Sequence, residues 1–540
     1  MSNQKLLWSG FGMGSPAVQA WLYLAGGTEG INIFPYITSI SLQKDMTQPA
    51  GMFDIKLAYA PDEVVDPFLH PPGQNPIYAI KKLLDDHSGV KPFDYLELRI
   101  QDQSGSTQPT YYFNGFIDNI TFTENAGSGN QMQRTVGITG RDYGSLLQNF
   151  QINYMNPTLL TKGLEGEGLY LALANSIVAN SNVNAQLDYS TLEKTLKNFN
   201  ITEHGSNSTA DFVNFIVQQG ININHIKSIQ ATYNSNIRPI FHRKQVPSSL
   251  GTFTASADLM GYQGSLDELI RQVQSPPWAE YFIRDENPGP VLYYRIAPYL
   301  DANGYYAWVN PDARVDFGYH NEIQYVDIPS DDVMSTSLSK SQNEVYTAFL
   351  TTASNMFLSD ATSFISYGLT KWKGQGNPYN DGFSPQSDVR ARMDKFGYRL
   401  YQANTPWVIG IQDPKTNSYS SPGQGSDFSN GFPPIALDGF NQIQRLNMWL
   451  VATMGRMEEL YSGTITCRGI HGVRVGDYIY YQRRPSELGR YFYVQGVAID
   501  WTEGSPITET LSVIRGQYLS HMDPFQRVLS PRRDSLSRRG

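Results

Sequence analysis

Histidine and cysteine, which often bind transition metals, are sparse in this chain, with eight and one present. No two of its histidines stand three or four residues apart, the spacing that places two imidazoles on one helix face. Asp85-Asp86-His87 is the densest group of potential ligands, and we interpret it as a solvated loop because metals need more ligands than it supplies. The sequence therefore predicts no metal site. The eight histidines are His70, His87, His204, His225, His242, His320, His471 and His521.

Residues arranged for catalysis are equally hard to find. Glycoside hydrolysis needs two carboxylates facing each other across a cleft, whereas Glu458 and Glu459 are neighbours that diverge by about 100° on a helix. Two carboxylates that are distant in sequence are not excluded as such a catalytic pair. No GxSxG elbow, phosphate-binding loop or zinc-protease helix is present. The single cysteine, Cys467, lies mid-strand, where a buried thiol is expected. We expect no catalytic residue and no bound cofactor.

The composition indicates a β-rich protein of several domains. At 540 residues the chain exceeds the size at which one hydrophobic core stops growing. It has 34 Tyr and 26 Phe, with 47 Gly and 31 Pro, a mixture that favours strands and turns. Only 17% of the residues are charged. Few charges together with many tyrosines are typical of a protein whose surface is largely covered by partners, but they also fit an ordinary β-rich protein.

The charge balance argues against a protein that holds nucleic acid by its phosphates, because the net charge is −9. A conduit through which DNA passes without binding is still compatible with that charge. One cysteine leaves no intrachain disulfide and fits assembly in a reducing cytoplasm. The sequence has no signal-like opening and no apolar run of about 20 residues, so we expect no membrane span.

Period-two alternation predicts strands at both ends of the chain. Tyr111–Phe122 and Arg134–Thr139 together predict a long hairpin. An Asp-Glu-Asn-Pro-Gly-Pro turn predicts another hairpin, whose strands are residues 280–284 and 291–296. The predicted strands are Ile37–Leu42, Phe53–Leu57, Tyr95–Ile100, Tyr111–Phe122 and Arg134–Thr139, then 323–328, Gly463–Arg468, Asp477–Tyr481, Tyr491–Val497 and Thr508–Ile514.

Helical signals occupy the middle of the chain. Ser265 and Glu268 form a capping box before an apolar stripe, and Pro276 ends the helix. Two further helices are predicted, one through Leu169–Ile177 and one starting at Ser208. A longer stripe runs from residue 443 to 460, after a Gly/Pro/Asn/Ser-rich loop at 371–437. The arginine-rich tail from residue 525 is expected to be solvated or to dock on an acidic partner.

Two segments resemble baseplate hub proteins of contractile-tailed bacteriophages. One is Phe113-Asn-Gly-Phe-Ile-Asp118 with Val136-Gly-Ile-Thr-Gly-Arg-Asp-Tyr-Gly-Ser-Leu-Leu147, a strand ending in Gly-Arg-Asp before a short helix. The other runs from Tyr461 to Gly469 and from Val473 to Ile479, continues into Tyr491-Phe-Tyr-Val-Gln-Gly-Val497, and closes with Glu509-Thr-Leu-Ser-Val-Ile-Arg-Gly516. Their order along residues 35 to 520 carries the resemblance. The 411–437 loop and the N-terminal arm depart from the pattern.

The resemblance implies an α+β, mainly β fold with two tail-tube-like β-barrel domains. This fold also has a helical domain between the two barrels, and an insertion of helix and loop within the second barrel. The ranges are 1–34 for an N-terminal arm that is flexible or an edge strand, 35–150 for the first barrel, 151–275 for the helical domain, 276–345 and 461–518 for the second barrel, 346–460 for the insertion, and 519–540 for the tail.

The resemblance also implies a structural role. Three chains would form a homotrimer that presents six barrels, joining the tail tube to the central spike. Partners would be the spike protein, the tail tube or tube-initiator protein, the tape-measure protein and the baseplate wedge proteins, with DNA as passing cargo. The protein would be a non-enzymatic virion component assembled in the host cytoplasm. A tail-associated cell-wall or polysaccharide hydrolase is the alternative, and a carbohydrate-binding receptor protein is a third.

Overall fold

A computed structural model describes most of the β-structure of the chain. The described residues are 17–24, 30–59, 89–101, 110–126, 132–152, 213–214, 217–218, 221–222, 226–232, 237–245, 264–287, 289–300, 306–309, 315–318, 325–341, 344–353, 394–405, 446, 449–484, 487 and 489–518. The predicted helix through 169–177, the start of the helix at Ser208, most of the 371–437 loop, the Asp85-Asp86-His87 group and the C-terminal tail lie outside them.

The N-terminal strands form one side of a sheet that has thirteen strands in the described part of the chain. Alternating apolar and polar residues place one face of these strands in the core, as the period-two pattern predicted. β1 lies within the range assigned to the N-terminal arm and pairs along its full length with β5. The strands are β1 (Ala17–Tyr23), β2 (Ile31–Asn32), β3 (Ile37–Asp45), β4 (Met52–Tyr59), β5 (Tyr95–Gln101), β6 (Thr110–Ala126) and β7 (Met132–Asp142).

The middle of the chain mixes short helices with small sheets. The Ser265 capping box is confirmed, since Ser265 Oγ accepts from the Glu268 N–H and Glu268 reaches back to the Ser265 N–H. The elements are α1 (Gly144–Asn149), β8 (Gln151–Ile152), α2 (Lys227–Thr232), β9 (Phe241–Gln245), β10 (Gly264–Ser265), α3 (Leu266–Gln274), β11 (Ala279–Asp285), β12 (Pro290–Ile296), β13 (Tyr299–Leu300), β14 (Tyr306–Val309) and β15 (Val315–Gly318).

The C-terminal strands complete the large sheet. Between Ser339 and Tyr461 the chain leaves the sheet. This insertion contains a parallel pair of strands and helical residues 449–454. The strands are β16 (Tyr325–Ile328), β17 (Val333–Ser339), β18 (Ala348–Ala353), β19 (Leu400–Thr405), β20 (Tyr461–Arg468), β21 (Tyr478–Tyr481), β22 (Arg490–Thr502) and β23 (Thr508–Gln517). All four strands predicted from 463 to 514 are confirmed.

The large sheet contains the same strand arrangement twice. Its order is β17-β20-β23-β22-β3-β4-β7-β6-β5-β1-β2, with β21 and β16 branching from β22. Strands β3, β4, β7, β6 and β5 are therefore ordered as β17, β20, β23, β22 and β21 are, with all pairs antiparallel. We call β1–β7 the N-terminal unit, and β16, β17 and β20–β23 the C-terminal unit.

The two units also share their irregularities. The pairing of the first two strands shifts register between Ile37 and Ser39 in one unit and between Val333 and Ser335 in the other. A short 3₁₀ turn precedes each of these strands, at Phe34–Tyr36 and Ser330–Asp332. The pairings β6–β7 and β22–β23 have a corresponding shift, between Ile117 and Asn119 and between Val494 and Gly496. Bulges pin register, so these positions align the units residue by residue.

The same turn leads into β5 and β21. The Lys91 N–H donates to the Asp94 carboxylate over 2.7 Å, and the Arg474 N–H donates to the Asp477 carboxylate over 3.0 Å. In both turns the aspartate N–H donates back to the carbonyl of that basic residue, at 3.1 Å. This match is independent of the bulges and gives the same alignment.

The residue before each aspartate has left-handed backbone geometry. Phe93 has a φ of 79° and Gly476 a φ of 86°, and their N–H groups donate to the carbonyls of Ile117 and Val494. Glycine adopts this φ without steric cost, whereas phenylalanine does not. The C-terminal unit therefore has glycine, the residue type that a positive φ favours. The N-terminal unit keeps the positive φ at a phenylalanine.

Among the described residues, the two larger hydrophobic clusters hold the sheets and helices together. One lies on the inner face of the large sheet and contains Ile40, Ile55, Ile465 and Ile499, each at most 1% exposed. The other joins α1, α3, the β11–β12 hairpin and the helical residues near Trp449. Every residue of β11 is buried, so this hairpin lies inside the protein between the sheet and the helical layer.

Candidate assembly interface

The two units are joined directly by strand pairing. Residues Ser39–Asp45 of β3 pair antiparallel with Gly496–Thr502 of β22. Ser41 Oγ donates to Asp500 Oδ1 over 2.6 Å, and the Met46 N–H donates to the Gln495 carbonyl over 2.9 Å. We call this pairing the junction. It makes one continuous sheet from strands that are more than 450 residues apart in the chain.

Only the C-terminal half of β22 takes part in the junction. The N-terminal half of β22 pairs with β21, and β23 runs along its other side. β6 has the same design, since its N-terminal half pairs with β5 and its other side with β7. Among the described strands, none pairs with residues 119–125 of β6 on the side that β5 leaves open. We call residues 119–125 the β6 edge.

β17 also has an unpaired side among the described strands. It pairs with β20 on one side, and no described strand lies on its other side. We call residues 335–339 the β17 edge. In the alignment of the two units, β17 corresponds to β3 and the β6 edge corresponds to residues 496–502 of β22. The two open edges are thus the counterparts of the two strands that meet in the junction.

Side-chain exposure differs between the open edges and their paired counterparts. Phe122 on the β6 edge is 61% exposed, whereas the corresponding Ile499 is 0% exposed. Leu42 is 1% exposed in the junction, whereas the corresponding Leu338 is only half-buried. A phenylalanine at this exposure leaves a large apolar area in water. The open edges therefore expose the side chains that are buried where the same strands are paired.

Buried ion pairs connect the β11–β12 hairpin to the N-terminal unit. Lys44 Nζ lies 2.7 Å from Asp142 Oδ2 and 2.9 Å from Asp285 Oδ2, and all three side chains are buried. Burial alone would lower the pKa of Lys44, but the two carboxylates outweigh it and raise the pKa. Asn114 also donates to Asp285 over 3.3 Å. A paired buried charge tolerates loss of its partner poorly, so this cluster fixes the hairpin on the sheet.

The same hairpin is tied to the C-terminal unit. Arg284 Nη1 lies 2.8 Å from Asp477 Oδ1, the aspartate of the repeated turn. Arg295 pairs with Glu280 over 2.6 Å and donates to Tyr493 over 3.0 Å. One buried hairpin thus bonds to both units and holds their relative position from behind the sheet.

His471 lies between two carboxylates next to β17. Its Nδ1 is 2.9 Å from Glu509 Oε2, and its Nε2 is 3.2 Å from Asp332 Oδ2. Burial disfavours the charged imidazole, but these hydrogen bonds outweigh burial and raise the pKa of His471 to about 9. Asp332 directly precedes β17. The charged histidine therefore fastens the start of the β17 edge to the body of the sheet.

The lack of a metal site and of catalytic residues stays a prediction. Among the described residues, no group of three or more His, Cys, Asp or Glu is arranged to hold a metal ion, and both nitrogens of His471 are already hydrogen-bonded to carboxylates. Glu459 pairs with Arg456. Cys467 is fully buried in β20 as predicted, and burial raises the pKa of its thiol to about 12. No described helix is long and apolar enough to cross a membrane.

The buried charges were not predicted from the sequence. Period two places Lys44 on the same face of β3 as Ile40 and Leu42, and Glu509 on the same face of β23 as Leu511 and Val513. A charge at an inward position of an alternating strand signals a buried ion pair. The partners themselves come from distant parts of the chain and leave no local pattern.

Comparisons with known proteins give structural similarities and no sequence match. No protein-family model matches the sequence, and no curated protein sequence matches it. The tail protein from Neisseria meningitidis MC58 has a TM-score of 0.42 at 9% identity, covering 92% of this chain and 96% of that chain. The 43 kDa tail protein of prophage MuSo2 from Shewanella oneidensis has a TM-score of 0.42 at 11% identity, covering 92% and 98%.

A third similar structure is an E. coli component of the type VI secretion system, described as structurally similar to bacteriophage T4 tail proteins. Its TM-score is 0.34 at 8% identity, covering 94% of this chain and 80% of that chain. These three solved structures are two phage tail proteins and one secretion-system component. At these TM-scores and identities the similarities carry no argument about function.

Proposed function

We propose that this chain is a structural subunit of the baseplate hub of a contractile phage tail. Three chains form a ring of six sheet units that joins the tail tube to the central spike and lets DNA pass through its lumen. The observation that carries the proposal is the internal duplication. Two copies of one strand arrangement, joined edge to edge, form a continuous sheet. Among the described strands, β17 and residues 119–125 of β6 each have one side without a paired strand.

The duplication supports a ring because the junction is a heterologous contact. A β3-type strand of one unit meets a β22-type strand of the other, so repeating the same contact generates a series of units with one rotational sense. A closed series pairs the β17 edge and the β6 edge. Proteins otherwise protect such open strand edges from pairing with wrong partners. In this proposal each unit is one of the two tube-like barrels that the sequence resemblance implies.

The outer face of the sheet supports a role as a conduit. Opposite the core, the described strands present mainly hydroxyl side chains, and the charged ones include Asp54 and Asp500 as well as Lys56 and Arg468. Such a face offers no continuous run of basic residues to hold phosphates. Its exposed or half-buried hydroxyl residues include Ser41, Thr121, Thr139, Ser337, Thr464, Thr466, Thr510 and Ser512. We propose that this face lines the lumen.

The same proposal assigns the remaining surfaces to other tail components. The spike protein would bind one end of the ring, and the tail tube or tube initiator and the tape-measure protein the other. Wedge proteins would bind outside, in the virion baseplate assembled in the host cytoplasm. The insertion between β17 and β20 stands where the N-terminal unit has only the short turn from Asp45 to Met52, so it is an added surface that suits such contacts.

Mass and shape in solution test the proposal. Light scattering of the purified chain over a range of concentrations should reach three times the 60.6 kDa of one chain, and electron microscopy should show rings with a central hole. A compact trimer without a hole would contradict the conduit. A zymogram on bacterial cell walls should show no clearing at the chain mass, and a clear band there would support the hydrolase alternative instead.

A further inference from the structure

We infer that two copies of this chain associate by pairing the β17 edge of one with the β6 edge of the other, in the register of the internal junction. The inference rests on the proposed ring, because the partner is a second copy, but it specifies which strands and residues meet. The internal junction supplies its template, since the same two strand types already pair within one chain.

The register follows residue by residue from the shared bulges. In the junction Leu42 pairs with Ile499. Leu42 lies three residues after the bulge of β3, and Leu338 lies at the same distance after the bulge of β17. Phe122 of β6 takes the place of Ile499 of β22 by the same counting. Leu338 of one copy is therefore placed opposite Phe122 of the next copy.

The neighbouring pair follows in the same way. In the junction Ser41 pairs with Asp500. Ser337 takes the place of Ser41, and Thr123 takes the place of Asp500. Both side chains are exposed in the single chain, and both carry a hydroxyl. In the junction the corresponding pair is hydrogen-bonded, so a hydroxyl–hydroxyl contact fits the same place.

A second copy fits these edges better than an unrelated strand does. The β6 edge presents Phe122 at 61% exposure on the face that continues the core, and the β17 edge presents the half-buried Leu338 on the corresponding face. Edge pairing in this register would extend the hydrophobic layer across the boundary as Leu42 and Ile499 do inside the chain. The contact is heterologous, so each chain offers one edge of each kind.

Paired cysteines test the register directly. Thr123→Cys and Ser337→Cys place thiols at directly opposed positions, whose Cα separation in an antiparallel pair suits a disulfide. Each single variant alone should stay at the chain mass on a non-reducing gel, while a mixture of the two should form a covalent dimer. The double variant should form covalent trimers. The native Cys467 is fully buried and should not interfere.

Two matched controls come from the same chain. Ser41→Cys with Asp500→Cys tests the corresponding position of the junction and should give an intrachain disulfide. Thr121→Cys with Ser337→Cys shifts one partner by two residues and should cross-link far less, because diagonal neighbours are about 7–8 Å apart. Cross-linking of a single variant with itself, equal cross-linking by the shifted pair, or no interchain disulfide would overturn the inference.

A charge substitution gives an independent readout. Phe122→Asp should raise the concentration at which chains associate by about tenfold or more, because the apolar contact is lost. The exposed Met52, which lies on β4 away from both edges, gives the control Met52→Asp, which should leave association unchanged. Rings seen by microscopy without the expected disulfide would overturn this register while leaving the proposed function standing. Chains that stay monomeric at every concentration would contradict both.

Discussion

Replacing His471 with glutamine should destabilise the protein at mildly acidic pH and much less at alkaline pH. The imidazole donates to Glu509 and Asp332 only when both of its nitrogens carry protons. Its side chain is 10% exposed, and that of Glu509 is 0% exposed. Solvent therefore screens this contact weakly. Glutamine keeps a polar group at the site but cannot supply the positive charge between the two carboxylates.

The magnitude follows from the shift in the pKa of His471. Its value rises from 6.5 in an unfolded chain to about 9 in the folded protein, so folding favours the protonated form. A difference of this size corresponds to about 3 kcal/mol of unfolding free energy. This contribution is complete below pH 6.5, falls as the pH rises from there, and is lost above pH 9.

Urea unfolding of the wild type and the His471→Gln variant at about pH 6 and about pH 10 measures this difference. We expect a gap of about 3 kcal/mol at the lower pH and a gap near zero at the higher one. Glu503→Gln, which changes an exposed carboxyl on a loop beside the same sheet, should show little effect at either pH. A gap of equal size at the two pH values would refute the role of the charge and leave His471 as a packing residue.

Three further substitutions test a buried ion pair, a closely packed glycine and a helix cap. Lys44→Met should cost about 3–5 kcal/mol of unfolding free energy, because it leaves two buried carboxylates unpaired, and adding Asp285→Asn should recover part of that loss in a urea titration. Gly476→Ala should lower the melting temperature more than Gly504→Ala does. Both glycines have a positive φ, but an added Cβ meets an aromatic ring at 2.6 Å at position 476 and nothing within 4 Å at position 504; equal losses would contradict the close packing. Ser265→Ala should cost about 1 kcal/mol through loss of the helix cap, and an unchanged unfolding midpoint would contradict that.

The strands were predictable from sequence because their information is local. In β3 and β4 apolar residues alternate with polar ones, and the structure buries the apolar set. The Ser265 helix was predictable for the same reason, since its capping box lies within four residues. Patterns of this kind predict elements and their buried faces, but they contain nothing about which strand pairs with which.

Two similar barrels were expected only from the family resemblance. The residue patterns themselves did not reveal the duplication, because the two units share geometry more than residues. The repeated turn keeps Asp-Tyr at 94–95 and at 477–478, but its left-handed position holds Phe93 in one unit and Gly476 in the other. A dipeptide is too short to signal a repeat. The match emerged only from the pairing register and the backbone hydrogen bonds of the turns.

The His471 cluster was beyond sequence reasoning for a related cause. Asp332 lies 139 residues before His471, and Glu509 lies 38 residues after it. None of the three stands in a motif. Only the order of strands in the folded sheet brings them together, and that order depends on pairings between distant segments.

The junction between the units has a consequence for how any assembly of this chain can grow. A covalent chain holds β3 and β22 together, so their pairing is intramolecular and persists at any dilution. Pairing between copies has no such tether and depends on concentration. In a ring of these chains, permanent junctions within each chain would alternate with reversible contacts between chains. Every intermediate in the assembly of the ring would contain an even number of units. Dilution or mechanical strain would therefore open such a ring at the contacts between chains and leave the junctions within each chain intact.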